Sequence, residues 1–196
     1  MASLTSELLT CSPERITKTL HMPDGQPFDF RLLLEDDGPL IGKYFESLGD
    51  DTRSKFGPHQ LDMATGHALC TELDYTKFLR MIAVHQDTAI AYFILILDVR
   101  PGERNRYESY GITLVDSHDC IVAPSVADAY QNRGLGSVLM LRILDIVASL
   151  GFTRILLSGG TRATNLRAVH FYEKFGFREV GRFESSCDNI DMIRQL

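Results

Sequence analysis

The sequence predicts a mixed α/β fold, one central sheet with helices on both faces. Three observations lead to it. Apolar, β-rich runs recur along the chain and meet at short turn signals. Stretches with helical apolar spacing lie between them, and at least two of those stretches close on a glycine. At 196 residues the chain is long enough for one domain with a proper core and short for two. Residues 1–196 are therefore read as a single domain, with 1–27 an N-terminal extension and hairpin strand.

Residues 15–21 and 28–34 flank Pro23-Asp24-Gly25, a turn signal, and read as a hairpin. Glu35-Asp36-Asp37 starts a helix through Leu40, Ile41, Tyr44, Phe45 and Leu48, which recur at helical spacing. Residues 62–78 read as a second helix. The runs 79–85 and 89–98, separated by Gln86-Asp87, form a second hairpin. Residues 99–107 are charged and carry Pro101-Gly102, so an exposed loop is expected, with strand again over 108–115. Residues 120–127 are strand-like but contain Pro124, which cannot donate to a ladder and marks a bulge or a parting of strands.

Residues 137–150 are apolar except for Ser137, Arg142, Asp145 and Ser149. The last three share one narrow wet stripe on a helix otherwise buried, which Gly151 closes. A strand over 154–158, a short helix from Asn165, and strands over 177–183 and 190–196 complete the order.

Two stretches carry chemistry. Gln131-Asn132-Arg133-Gly134-Leu135-Gly136-Ser137 is a glycine-bearing turn that opens a helix. Glycines let the backbone approach an anion, and a helix N-terminus offers free N–H groups and a positive dipole end. Arg133 adds charge and Ser137 a hydroxyl. Alone, such a turn is also what a tight connection looks like. A dinucleotide fingerprint would need glycine where Leu139 stands and an acid where Ser158 stands. No P-loop, H-E-x-x-H or G-x-S-x-G motif is present.

In the second stretch, Asn165 suits an N-cap, and Asn165, Ala168 and Tyr172 fall on one helix face. In an isolated helix Tyr172 would read as a half-buried aromatic among Leu166, Val169, Phe171 and Phe175. His170 is expected to face water or the sheet edge and not to act as a ligand.

A formal net charge of −6 argues against broad nucleic-acid or anionic-membrane binding and leaves room for a cationic substrate such as an amine. Four scattered cysteines without a CxxC pair indicate reduced thiols and no metal site, in a cytoplasmic protein. Residues 1–10 lack the features of a signal peptide, and no apolar run approaches the roughly 18 residues needed to span a bilayer.

Together the two motifs resemble the GNAT superfamily of acyl-CoA-dependent N-acyltransferases. Gln131, Gly134 and Gly136 match its Gln/Arg-x-x-Gly-x-Gly/Ala signature. Asn165, Ala168, Phe171, Tyr172, Gly176 and Phe177 match its Asn…Phe-Tyr-x-x-x-Gly-Phe signature. The likeness covers residues 28–196 in element order and implies a mostly antiparallel central sheet. The Asp24-Gly25 hairpin and the Leu48…Thr52-Arg53…Phe56 run also resemble, more loosely, the acyltransferase domain of some protein-lysine acetyltransferases.

The resemblance implies acetyl-CoA as cosubstrate, with no metal, and an amine-bearing acceptor; a homodimer is left open. The amides around Arg133, Gly134, Leu135, Gly136 and Ser137 would hold the pyrophosphate, and Gln131 and Asn132 would also bind the cofactor. The strand edge near Val126 would pair with the pantetheine arm, Asn165 would contact the same arm, and Ala168 would also bind the cofactor. Tyr172 would sit beside the thioester sulfur and protonate, or hydrogen-bond, the leaving thiolate. Many relatives carry a basic glutamate where Ile121 stands here. Asp119, on the same strand face, is the nearest substitute, with Glu108 and His118 looser options. No cysteine lies in either motif, which suits direct attack. The expected activity is N-acetylation of a primary amine; the alternative is a non-catalytic acyl-CoA sensor on the same fold.

Overall fold

Short turns and apolar runs build the sheet, whose first six strands lie side by side in chain order. The computed structural model describes residues 4–157 and 159–196. Strands β1 (Lys18–His21) and β2 (Pro27–Leu32) pair antiparallel around the Pro23-Asp24-Gly25 turn. In β2, Phe28, Phe30 and Leu32 alternate inward, as a strand with one covered face requires. The second hairpin joins β3 (Phe78–His85) to β4 (Thr88–Ile96). Gln86 and Asp87 at its tip have φ of 47° and 59°, the left-handed pair whose twist matches that of the strands.

Next to β4 lies β5 (Asp119–Val126), antiparallel, and then β6 (Arg154–Leu157), parallel to β5. The sequence reading of this strand ran to residue 158; Ser158 lies outside the described residues. The two-residue β7 (Thr161–Arg162) and the C-terminal hairpin of β8 (Arg178–Glu184) and β9 (Asp188–Gln195) finish the sheet. Among the described residues every strand pair except β5–β6 is antiparallel.

Helices cover both faces. Leu9 of α1 (Ser6–Cys11), Leu139 and Ile143 of α6 (Leu135–Ser149) and Tyr172 of α7 (Leu166–Lys174) pack with Phe30, Met81, Phe93 and Val122. On the other face, Ile41 and Phe45 of α2 (Gly38–Ser47), Cys70 of α4 (Met63–Thr71) and Tyr107 of α5 (Pro101–Ser109) pack with Ile82, Tyr92 and Ile121. The N-terminal segment belongs to the core, since Leu9 and Ile16 are fully buried.

Five features differ from expectation. The helix read over 62–78 ends at Thr71. Asp74 then folds the chain into a turn by accepting from the Thr76 amide at 3.0 Å, a local bond that competes with helix. A short helix, α3 (Asp50–Lys55), carries no buried side chain, and so left no apolar period to find. Residues 99–107 are not an exposed loop: Pro101 opens α5 at the position where a missing N–H costs nothing, and Tyr107 is fully buried. The strand expected over 108–115 is instead the end of α5 and an irregular connection. On α6 the wet side holds Leu141, Asp145, Ala148 and Ser149. Arg142 is half-buried and donates to the Ile16 carbonyl at 3.1 Å.

Candidate active site

The site forms where two strands part. Among the described residues, ladder pairing between β5 and β6 runs from Asp119–Arg154 to Val122–Leu157. On its other side β5 stays paired with β4 through Val126. Pro124 lies past the fork, on the length of β5 that has lost β6 as a neighbour, so its missing N–H leaves no gap in the β5–β6 ladder. The fork opens into a cleft of about 620 Å³.

One end of the cleft is the turn before α6. Asn132 and Gly134 have φ of 59° and 84°, and a left-handed backbone in such a turn aims successive N–H groups to one side. The amides of residues 132–136 have no acceptor among the described residues. They sit at the N-terminus of a 15-residue helix whose first turn carries no acid, so its positive end is uncompensated. Asn132, Gly134, Gly136 and Ser137 line the cleft. Arg133 is exposed, and Leu135 turns into the core; these two can take part only through their backbones. A cation the sequence reading missed stands nearby: Lys174 Nζ is 3.4 Å from Ser137 Oγ.

Opposite the turn, Asn165 caps α7 by accepting from the Ala168 amide. Asn165, Ala168 and Tyr172 all face the cleft, whereas His170 points to solvent. Tyr172 packs against Phe171 and Phe177, ring centroids 5.4 and 5.5 Å away. Burial pushes its phenol up from the ordinary value, so at neutral pH it holds its proton and has one to donate.

Gln131 has a different role from the one its motif suggested. Its side-chain amide donates to the Val126 carbonyl at 2.9 Å, to Thr52 at 3.0 Å and to Asp128 at 3.1 Å. Asp128 also accepts from the Gly49 amide at 2.7 Å and from the Thr52 hydroxyl, and these bonds hold its carboxyl below the usual range, the Thr52 bond foremost. The end of β5, the phosphate-type turn and α3 are thereby tied in one knot. Val126 still lines the cleft, but its carbonyl is occupied.

Asp119 is placed where it cannot serve the cleft. It is 0% exposed, pairs with Arg154 at 2.5 Å and accepts from the Val115 amide at 2.6 Å. It sits at the closed end of β5, outside the cleft lining. Ile121 is buried in the core beneath α2 and α5, and Glu108 and His118 are exposed away from the cleft. Two lining residues to which the sequence reading gave no individual role are Glu103 and Cys187, which lie in segments 99–107 and 183–189 where it expects acceptor specificity. Glu103 projects from α5, 8% exposed. Cys187 lies in the β8–β9 turn with its Sγ 3.6 Å from Asn189 Oδ1.

Residues 23–177 match the family model of the acetyltransferase (GNAT) family. The chain belongs to the GNAT family. Solved GNAT structures share the fold across nearly the whole chain. The GNAT domain of S. lividans PAT aligns with a TM-score of 0.74 at 18% identity, covering 94% of this chain and 99% of that one. Ribosomal-protein-S5-alanine acetyltransferase from Vibrio fischeri aligns at 0.69 and 13% identity, covering 91% and 96%. AAC(6')-Ib, in complex with paromomycin and acetyl-CoA, aligns at 0.65 and 19% identity, covering 86% and 93%. No curated protein matches the sequence.

Within the GNAT frame, the glycine turn and the tyrosine helix were legible because each is a contiguous motif. Glu103 offered a weaker signal: Glu103 and Tyr107, four apart after a helix-opening proline, share one helix face. Cys187 offered none, since its place depends on the β8–β9 turn folding over the fork.

Proposed function

We propose that this GNAT protein transfers an acetyl group from acetyl-CoA to a primary amine by direct attack. One arrangement carries the reading: the acceptor-free amides of Asn132, Gly134 and Gly136 and the phenol of Tyr172 belong to residues lining a single cleft beside β5. The amides and the α6 dipole suit a diphosphate, and Lys174 and Arg167 add positive charge along the same wall. The open edge of β5 suits an extended amide-bearing arm. Tyr172 then meets the sulfur end and donates its proton as the C–S bond breaks.

The charge of the cleft narrows the acceptor. Its charged lining residues are Lys55, Arg100, Arg162, Arg167 and one acid, Glu103. A polycation such as the paromomycin bound by AAC(6')-Ib would meet repulsion at most of those positions. An acceptor with one ammonium group, free or at a peptide terminus or lysine, suits the lining better.

A second reading is a GNAT fold that binds acyl-CoA without turning it over. Ile121 favours it, because an apolar residue stands where a base is usual. The two are separated by calorimetric titration with acetyl-CoA together with release of free thiol across a panel of amines. Tyr172→Phe should retain acetyl-CoA affinity and lose roughly 10- to 100-fold in turnover. Full turnover in that variant overturns the role given to Tyr172; binding without any turnover in the wild type supports the sensor.

A further inference from the structure

Direct attack leaves one role unfilled. An alkylammonium with a pKa of about 10 is unreactive at neutral pH until it loses a proton. Neither Ile121 nor the buried Asp119–Arg154 pair can take it. Among the described residues lining the cleft there is no histidine, no aspartate and a single glutamate, Glu103. Two of the lining cations are already engaged, Lys55 with Asp51 at 2.6 Å and Arg162 with the Ser54 carbonyl. The Glu103 carboxylate has no hydrogen-bond or ion-pair partner among the described residues, although the residue is 8% exposed.

The helix bearing it is held rigidly. Arg106 pairs at 2.5 Å with Asp191 of β9, which is fully buried, and stacks 4.1 Å from the Phe183 ring centroid. Tyr110 adds a bond to Asp191 at 3.1 Å. Tyr107, one turn after Glu103, is 0% exposed. A side chain on an element fixed at this many points keeps its geometry.

We propose that Glu103 is the base that takes a proton from the acceptor's ammonium group, an inference that rests on the acetyltransferase reading above. The ammonium gives one proton to Glu103, which passes it to solvent. The freed nitrogen lone pair forms the C–N bond and the C–S bond breaks, its electron pair going to sulfur. Tyr172 protonates the sulfur and is restored, through cleft water, by the second proton the nitrogen sheds. Atoms and charge balance: one ammonium and one thioester give one amide, one thiol and one released proton.

The test compares nucleophiles that differ in needing a base. At about pH 7, butylamine is almost wholly protonated, whereas hydroxylamine is mostly neutral. Wild type and Glu103→Gln are assayed with each, subtracting the uncatalysed rate, and acetyl-CoA affinity is measured for both proteins. Glu103→Gln should lose about 100-fold in kcat with butylamine and about twofold or less with hydroxylamine, at unchanged affinity. Added formate should restore part of the butylamine rate to Glu103→Ala. Equal losses with both nucleophiles, or none with butylamine, overturn the assignment of Glu103 while leaving the acetyltransferase reading intact. A wild type that fails to bind acetyl-CoA, or binds it and acetylates neither nucleophile, removes the activity and the base together.

Discussion

Two glycines two residues apart should respond to the same substitution in opposite ways. Gly134 has φ of 84°, and a Cβ placed there would lie 2.7 Å from Pro23 Cγ. Alanine at this position carries about 1–2 kcal/mol of left-handed strain, and the proline contact adds to it. Gly136 lies in the first turn of α6, where its Cβ would sit at an ordinary 3.5 Å from the Phe171 ring. Alanine there gains helix propensity, up to about 0.5–1 kcal/mol. Gly136 also lines the cleft beside the free amides, where a docked diphosphate needs bare backbone.

Gly134→Ala should therefore unfold at a lower temperature, by roughly 4–8 °C for about 2 kcal/mol in a chain of this size. Gly136→Ala should melt at or slightly above the wild-type temperature yet bind coenzyme A at least about tenfold more weakly, a loss of about 1.4 kcal/mol. Calorimetric unfolding of the free proteins and titration with coenzyme A measure the two effects separately. A Gly136→Ala protein with wild-type affinity would refute the placement of the diphosphate at this turn. Unchanged stability in Gly134→Ala would refute the strain argument.

Asp119→Asn should cost about 3 kcal/mol in urea unfolding, because it strands Arg154 beside a neutral partner, and should leave turnover of the residual folded enzyme unchanged; a selective loss of turnover would return Asp119 to the chemistry. Cys187→Ser should keep its rate within about twofold and yield no acetylated protein, as expected when no covalent intermediate forms; trapping of an acetyl group on wild-type Cys187 would contradict direct attack. His59 packs against Phe45, Phe56 and Tyr92, and burial lowers its pKa from the ordinary value. Between that lowered value and the unfolded value of about 6.5, the unfolded chain binds the extra proton, so stability should fall as pH drops below about 6.5 and level off beneath the folded value. The urea midpoint measured from pH 5 to 8 should lose this slope in His59→Phe; a slope of the same size in that variant would assign it elsewhere.

The parts of the fold written in local chemistry were readable. Both early hairpins follow from turn residues between apolar runs, and α6 from its apolar spacing. What escaped detection depends on partners far away in sequence. Residues 99–107 read as an exposed loop because nearly every residue there is polar. They form a helix because Arg106 finds Asp191, 85 positions later, and because Tyr107 enters the core. Arg142 looked wet by its own period and is half-buried because the N-terminal segment crosses it.

The same distinction separates the two walls of the site. The wall with the glycine turn and the tyrosine helix is set by backbone conformation and by spacing along one helix, both visible in a string of letters. The wall that would receive the acceptor is assembled from α3, α5 and the β8–β9 turn, which meet only in the folded chain. Total charge misleads there for a physical reason. The net −6 suggested a cationic acceptor, yet the described cleft lining holds four cations against one carboxylate. Exposed acids elsewhere are largely screened by salt beyond about 10 Å, so they add little to recognition inside the cleft. Inside the cleft, the side chains within contact distance decide, and there a lone carboxylate among cations specifies a single ammonium group more sharply than a broadly acidic surface could.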